Sequence, residues 1–144
     1  MKKQILVLAS LFVLSIMAAQ VAQAQQSMTV NIPFDFTAGN TTLPAGDYSV
    51  QKWTKDTSVL LIQNADQSAS ALIPTMAAIS LEPQSDSKLV FNRYGDRYFL
   101  SQVWTAGNPR GRQLSKSTRE KEIAIIARNE SQVTLFAKLY TTHK

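Results

Sequence analysis

The residues whose type and spacing best suit chemistry are cations. Arg110, Arg112, Lys116, Arg119 and Lys121 fall within one short span and are opposed there only by Glu120. Guanidinium and ammonium groups at this density form either a solvated loop or a surface that gathers carboxylates and phosphates. Arg110, Arg112, Lys116 and Arg119 are therefore the candidate anion-binding surface, and a helix starting near Ser117 would add exposed backbone amides to it. A phosphate-cradling P-loop is excluded by spacing. That loop needs four residues between its glycines and then Lys with Ser or Thr, whereas three residues separate Gly107 from Gly111 and Arg112 follows.

A second constellation lies between Lys88 and Trp104, where two runs rich in aromatic and β-branched residues flank Gly95-Asp96. This is the local chemistry of a tight β-hairpin. A two-residue turn at Gly95-Asp96 pairs Tyr94 with Arg97, Arg93 with Tyr98 and Phe91 with Leu100. Leu89, Phe91, Leu100 and Trp104 then share a face, with Arg93, Tyr98 and Gln102 towards its ends. A guanidinium beside a phenol is either an arginine stem packed on a ring or the mouth of a pocket. In the second case Arg93, Tyr98 and Trp104 are the candidate ligand-binding residues, suited to a small acidic or sugar-like molecule. A three-residue turn would pair Phe91 with Phe99 instead and move Tyr98 to the opposite face.

Other chemistries find few residues. The chain has no cysteine, which removes disulfides, thiolate metal sites and cysteine nucleophiles. Its one histidine, His143, is penultimate, so histidine triads and multi-histidine metal sites are excluded by count. Asp35, Asp47, Asp56, Asp66, Glu82, Asp86 and Asp96 stand mostly apart, as turn formers and solvated charges; a calcium site assembled from loops stays open. No nucleophile with a base partner can be read, so no catalytic residue, metal site or cofactor is expected.

These groups must be positioned by a chain that reads almost entirely as short strands. From Thr29, Val30, Ile32, Phe34 and Phe36 alternate with Asn31, Pro33, Asp35 and Thr37, the period of a half-buried strand. Pro33 makes it an edge strand, or one whose proline side faces no neighbour. Ala38 to Thr42 reads as a loop and Leu43-Pro44-Ala45-Gly46 as a turn. Strands are expected at Asp47 to Trp53 and at Ser58 to Gln63, the latter covered on both faces by its run Val59-Leu60-Leu61-Ile62. Ser68 to Leu81 is extended, with a bulge or break demanded by Pro74. Thr105 to Leu114 reads as an exposed loop. Ser117-Thr118-Arg119-Glu120 matches a capping box and predicts a helix over Thr118 to Ala127 that buries Ile123, Ile126 and Ala127; a strand over Ile123 to Ile126 is the alternative. Gln132 to Thr141 alternates as a last strand. About seven strands and one short helix make an all-β domain, an antiparallel sandwich or a partly closed barrel.

Ile32-Pro33-Phe34-Asp35-Phe36, Leu43-Pro44-Ala45-Gly46-Asp47-Tyr48, Phe91-Asn92-Arg93-Tyr94-Gly95-Asp96-Arg97-Tyr98-Phe99-Leu100 and Gly111-Arg112-Gln113-Leu114 occur in this order. The chain thereby resembles a group of small exported bacterial proteins of unknown function. The resemblance covers most of residues 25–144 and implies an exported, non-enzymatic β domain without assigning it a ligand or a catalytic residue.

Export is also expected from the N-terminal residues. Lys2 and Lys3, the apolar run Ile5 to Ala19 and the small residues of Ala22-Gln23-Ala24 have the order of a secretory signal peptide over residues 1–24. The apolar run is shorter than the roughly 20 residues of a membrane span, so none is expected after cleavage. Residues 25–144 would then be one β-rich domain in the periplasm or outside the cell. The net charge is +5, or +3 once Lys2 and Lys3 are removed. It suits weak attraction to anionic cell-surface material and is too small and scattered for nucleic acid. The leading expectation is an exported, non-catalytic binding or surface-associated module. The alternative is a carrier of a small ligand in a barrel interior, with an unrecognised enzyme third, and a cavity would distinguish the first two.

Overall fold

Alternating side chains give most of the strands one face to bury, and two sheets placed face to face cover those faces. In the computed structural model, which describes residues 25–55 and 58–142, this is the arrangement. The expected signal peptide and His143 lie outside the described residues. The strands are β1 (Gln25–Ile32), β2 (Phe36–Ala38), β3 (Thr41–Leu43), β4 (Gly46–Lys52), β5 (Val59–Asn64) and β6 (Ser70–Pro74), then β7 (Met76–Ile79), β8 (Lys88–Tyr94), β9 (Arg97–Trp104) and β10 (Arg110–Gln113). The helix α1 (Thr118–Ile126) precedes β11 (Glu130–Phe136) and β12 (Lys138–Thr142). One sheet has the order β12-β1-β4-β5-β6; the other runs β11-β8-β9-β10-β7, with the β2-β3 hairpin attached along β9. All pairings are antiparallel except the contact of β2 with β9 at Thr37 and Phe99. The domain is a sandwich rather than a closed barrel.

Ile32, Tyr48, Val50, Ile62 and Ile73 of the first sheet face Phe36, Leu89, Phe91, Leu100 and Val103 of the second, all buried. Phe91 joins them through edge-to-face contacts with Phe34 at 5.2 Å and Phe36 at 5.6 Å, and Phe36 meets Tyr48 at 5.2 Å. In β5 only Leu60 and Ile62 are buried, while Val59 and Leu61 are half-buried. The expectation that both its faces are covered is corrected, because only the face turned to the second sheet is fully buried.

Three extended runs each cross between the sheets, the second of them beside the break expected at Pro74. The first breaks at Pro33, which cannot continue a ladder, so β1 stays in the first sheet between β12 and β4 while β2 joins the second. β1 is therefore not an edge strand. The second breaks at Thr75, whose amide donates to Ser58 O at 3.0 Å and whose hydroxyl donates to the same oxygen; β6 pairs with β5 and β7 with β10. The third, Gln132 to Thr141, breaks at Ala137, with β11 on β8 and β12 on β1. With β3 and β10 forming where loops were expected, these three crossings turn about seven expected strands into the twelve described.

The β8-β9 hairpin has the expected two-residue turn. Gly95 adopts φ of +65°, and Tyr94 faces Arg97, Arg93 faces Tyr98 and Phe91 faces Leu100. Further along, Val90 faces Gln102 and Leu89 faces Val103, so Ser101 is an extra residue in β9. This bulge reverses the faces beyond it. Val103 turns into the core, and Trp104 turns outward to pack with Ala78 and Val90. The expected loop over Thr105 to Leu114 contains β10, which pairs with both β7 and β9.

Candidate functional site

The structure brings Arg93 and Tyr98 together and leaves Trp104 out. The Arg93 guanidinium lies 5.4 Å from the Tyr98 ring centre, and Phe34 stacks on that ring at 3.7 Å. Arg93 Nε donates to Gly95 O at 2.7 Å. Phe34 and Tyr98 are both packed against the core as partly buried residues. Trp104 is on the opposite face because of the bulge, its indole N–H donating to Gln102 Oε1 at 3.0 Å. Arg93, Tyr98 and Trp104 therefore do not form one site.

The cation cluster also divides. Lys116 pairs with Glu130 at 3.3 Å and lies 5.9 Å from the Tyr94 ring centre, while Arg119 is exposed on α1. Arg110 and Arg112 sit in β10, where Arg112 faces Val103 on one side and Ala77 on the other. Val103 is a core residue, so Arg112 and, one strand repeat away, Arg110 share the face that looks towards the first sheet.

Opposite them is the end of β4, where the inward series Tyr48, Val50 continues to Lys52. A cleft of ≈ 930 Å³ opens here between the sheets. Met28, Val50, Leu60 and Val103 form its apolar floor, and Lys52, Lys55, Arg110 and Arg112 stand around it. None of the described residues lining it is a carboxylate, and among the described residues no ion pair involves these four cations. Lys52 and Lys55 were missed by sequence reasoning. Lys52 had a usable signal, since it falls on the inward phase of β4.

The capping hydrogen bond forms as expected, Glu120 N donating to Ser117 Oγ at 3.2 Å. The helix itself also forms as expected, over Thr118–Ile126 and in place of the alternative strand, but its expected burial is corrected: Ile126 is 81% exposed, Ile123 and Ala127 are half-buried, and the buried residue is Glu120. Its carboxylate accepts from Asn92 Nδ2 at 3.0 Å and Tyr94 O–H at 3.1 Å instead of reaching back to Ser117. Tyr94 O–H also lies 3.2 Å from Glu130. Burial pushes the Tyr94 phenol above its ordinary 10.0; the bond to Lys116 opposes this and Glu120 adds to it. Lys116 is raised above 10.5 by its bond to Tyr94, with burial opposing and Glu130 adding.

The residues that carry the resemblance have structural work. Asp35 accepts from Ala45 N at 2.9 Å, Tyr48 O–H donates to Pro44 O at 2.6 Å, and Asp47 accepts from Asn31 Nδ2 at 2.8 Å. In the last motif Gly111 lies under the Trp104 ring and Leu114 enters the core. Comparisons with protein-family models, curated proteins and solved structures found no match to this chain.

Proposed function

We propose that this chain is an exported, non-catalytic β-sandwich that carries a small ligand between its two sheets. The observation that supports this is the cleft: ≈ 930 Å³, with an apolar floor and polar groups at its rim. That volume lies in the range of roughly 300–1,000 Å³ that holds small ligands. The proposed site lies at Arg110 and Arg112, away from the Arg93 and Tyr98 expected at a pocket mouth. Export follows from the signal-like residues 1–24 and agrees with the resemblance to exported bacterial proteins.

Native mass spectrometry of protein purified from its own host tests both parts. The expected spectrum shows a chain starting at Gln25 with a retained small molecule. Bare protein throughout would overturn the carrier function, and a mass that includes Met1 would overturn cleavage.

A second reading, attachment to another surface, is favoured by one stretch. Residues 67–81 carry no charge and contain β6 and β7, each at the end of its sheet's order. Leu72, Met76, Ile79 and Leu81 are exposed along it, and exposed apolar surface is a mark of association sites.

A further inference from the structure

Resting on the carrier reading, we infer that the ligand is an anionic amphiphile, its carboxylate or phosphate head held by Arg110 and Arg112 and its apolar chain laid over Met28, Val50 and Leu60. The inner face of a sandwich is normally filled by apolar side chains from both sheets. Here β10 places two arginines on that face, about 7 Å apart along the strand, and β4 places Lys52 on the facing sheet.

Arg112 is half-buried, and no carboxylate of a described residue pairs with it. A cation drawn out of water without a partner is costly, and an incoming anion removes that cost. Guanidinium is suited to the task because its planar fork meets carboxylate or phosphate through two hydrogen bonds. The apolar floor adjoining these groups is matched by a hydrocarbon chain. A neutral amphiphile would cover the floor and leave the arginines unmatched; a cationic one would be repelled by them.

Isothermal titration calorimetry with decanoate, decyl phosphate, decanol and decyltrimethylammonium, each below its micellar concentration, separates head from chain. Both anions should bind at least about tenfold more tightly than decanol, the equivalent of ~1.4 kcal/mol. Comparing decanoate with decyl phosphate distinguishes a fatty-acid source from a phosphorylated one. In Arg110→Gln/Arg112→Gln the preference for anions should disappear while decanol binding is kept; Arg119→Gln, outside the cleft, should behave as wild type. If the double variant does not fold, wild type still decides: raising salt from about 0.05 to about 0.5 M should shrink the anion preference by screening. Equal binding of all four heads, an anion preference indifferent to salt, or equal losses in Arg119→Gln would overturn the head assignment and leave the cleft as a binding site. No binding by any of the four compounds would overturn the carrier reading itself.

Discussion

Two glycines show how differently the same residue type is required. Gly95 turns the β8-β9 hairpin at φ of +65°, with open space where a Cβ would go. Replacing it costs only backbone conformation, about 1 kcal/mol. Gly111 lies in strand β10, where a Cβ would stand 2.6 Å from the Trp104 ring and 2.9 Å from Val103 O. Since Trp104 is packed against Ala78 and Val90, the ring cannot withdraw freely. Gly111→Ala is expected to destabilise by ~1–3 kcal/mol, more than Gly95→Ala, in urea unfolding. Equal losses would mean that Trp104 swings aside. Gly95 was legible because its flanking strands are local, whereas the need for Gly111 depends on a ring seven residues away whose direction is set by the bulge at Ser101.

At the scale of elements, α1 departs most from what its sequence suggests. Ile125 and Ile126 are 85% and 81% exposed, so an amphipathic reading of the helix fails. It is fastened through Glu120 to Asn92 and Tyr94 on the outer face of β8. This polar attachment carries a pH dependence. Tyr94 and Lys116 both have folded-state pKa values raised above their ordinary 10.0 and 10.5. Their contribution is thus complete below about pH 10 and is lost as pH climbs through the raised values. Thermal melts should show stability falling above pH ~10, and Tyr94→Phe should flatten that alkaline limb. An unchanged limb would place the titrating group elsewhere. The capping Ser117 was legible as a local pattern, while the partners of Glu120 were not, since Asn92 lies 28 residues away.

For the whole molecule, the deciding feature is that chain runs at Pro33, Thr75 and Ala137 leave one sheet and enter the other. The inward parity persists through each crossing. Val30, Ile32 and Phe36 are all buried although β1 and β2 belong to different sheets. The sheets are thereby joined around one core, with Phe91 contacting both Phe34 and Phe36 at its centre. Phe91→Ala should cost about 3–5 kcal/mol in denaturant unfolding. Phe136→Ala, at a side chain 68% exposed, should change stability by less than about 0.5 kcal/mol. Comparable effects would mean that the core is not shared in this way.

By itself the sequence determined the all-β class, the hairpin turn at Gly95-Asp96, the break near Pro74 and the cap at Ser117. Each rests on residues adjacent in the chain, where alternation, glycine and proline act locally. Only tertiary structure decided which strands cross sheets, because an inward-facing residue looks the same whichever sheet carries it. The same limit applied to the site. Arg110 and Arg112 were legible as cations, but their place on the inner face depends on the pairing of β10 with β7 and β9. Lys52 meets them at the cleft from a strand more than fifty residues earlier. Long-range strand pairing is thus the physical reason that the chain's most one-signed stretch was readable as chemistry before it was readable as a place.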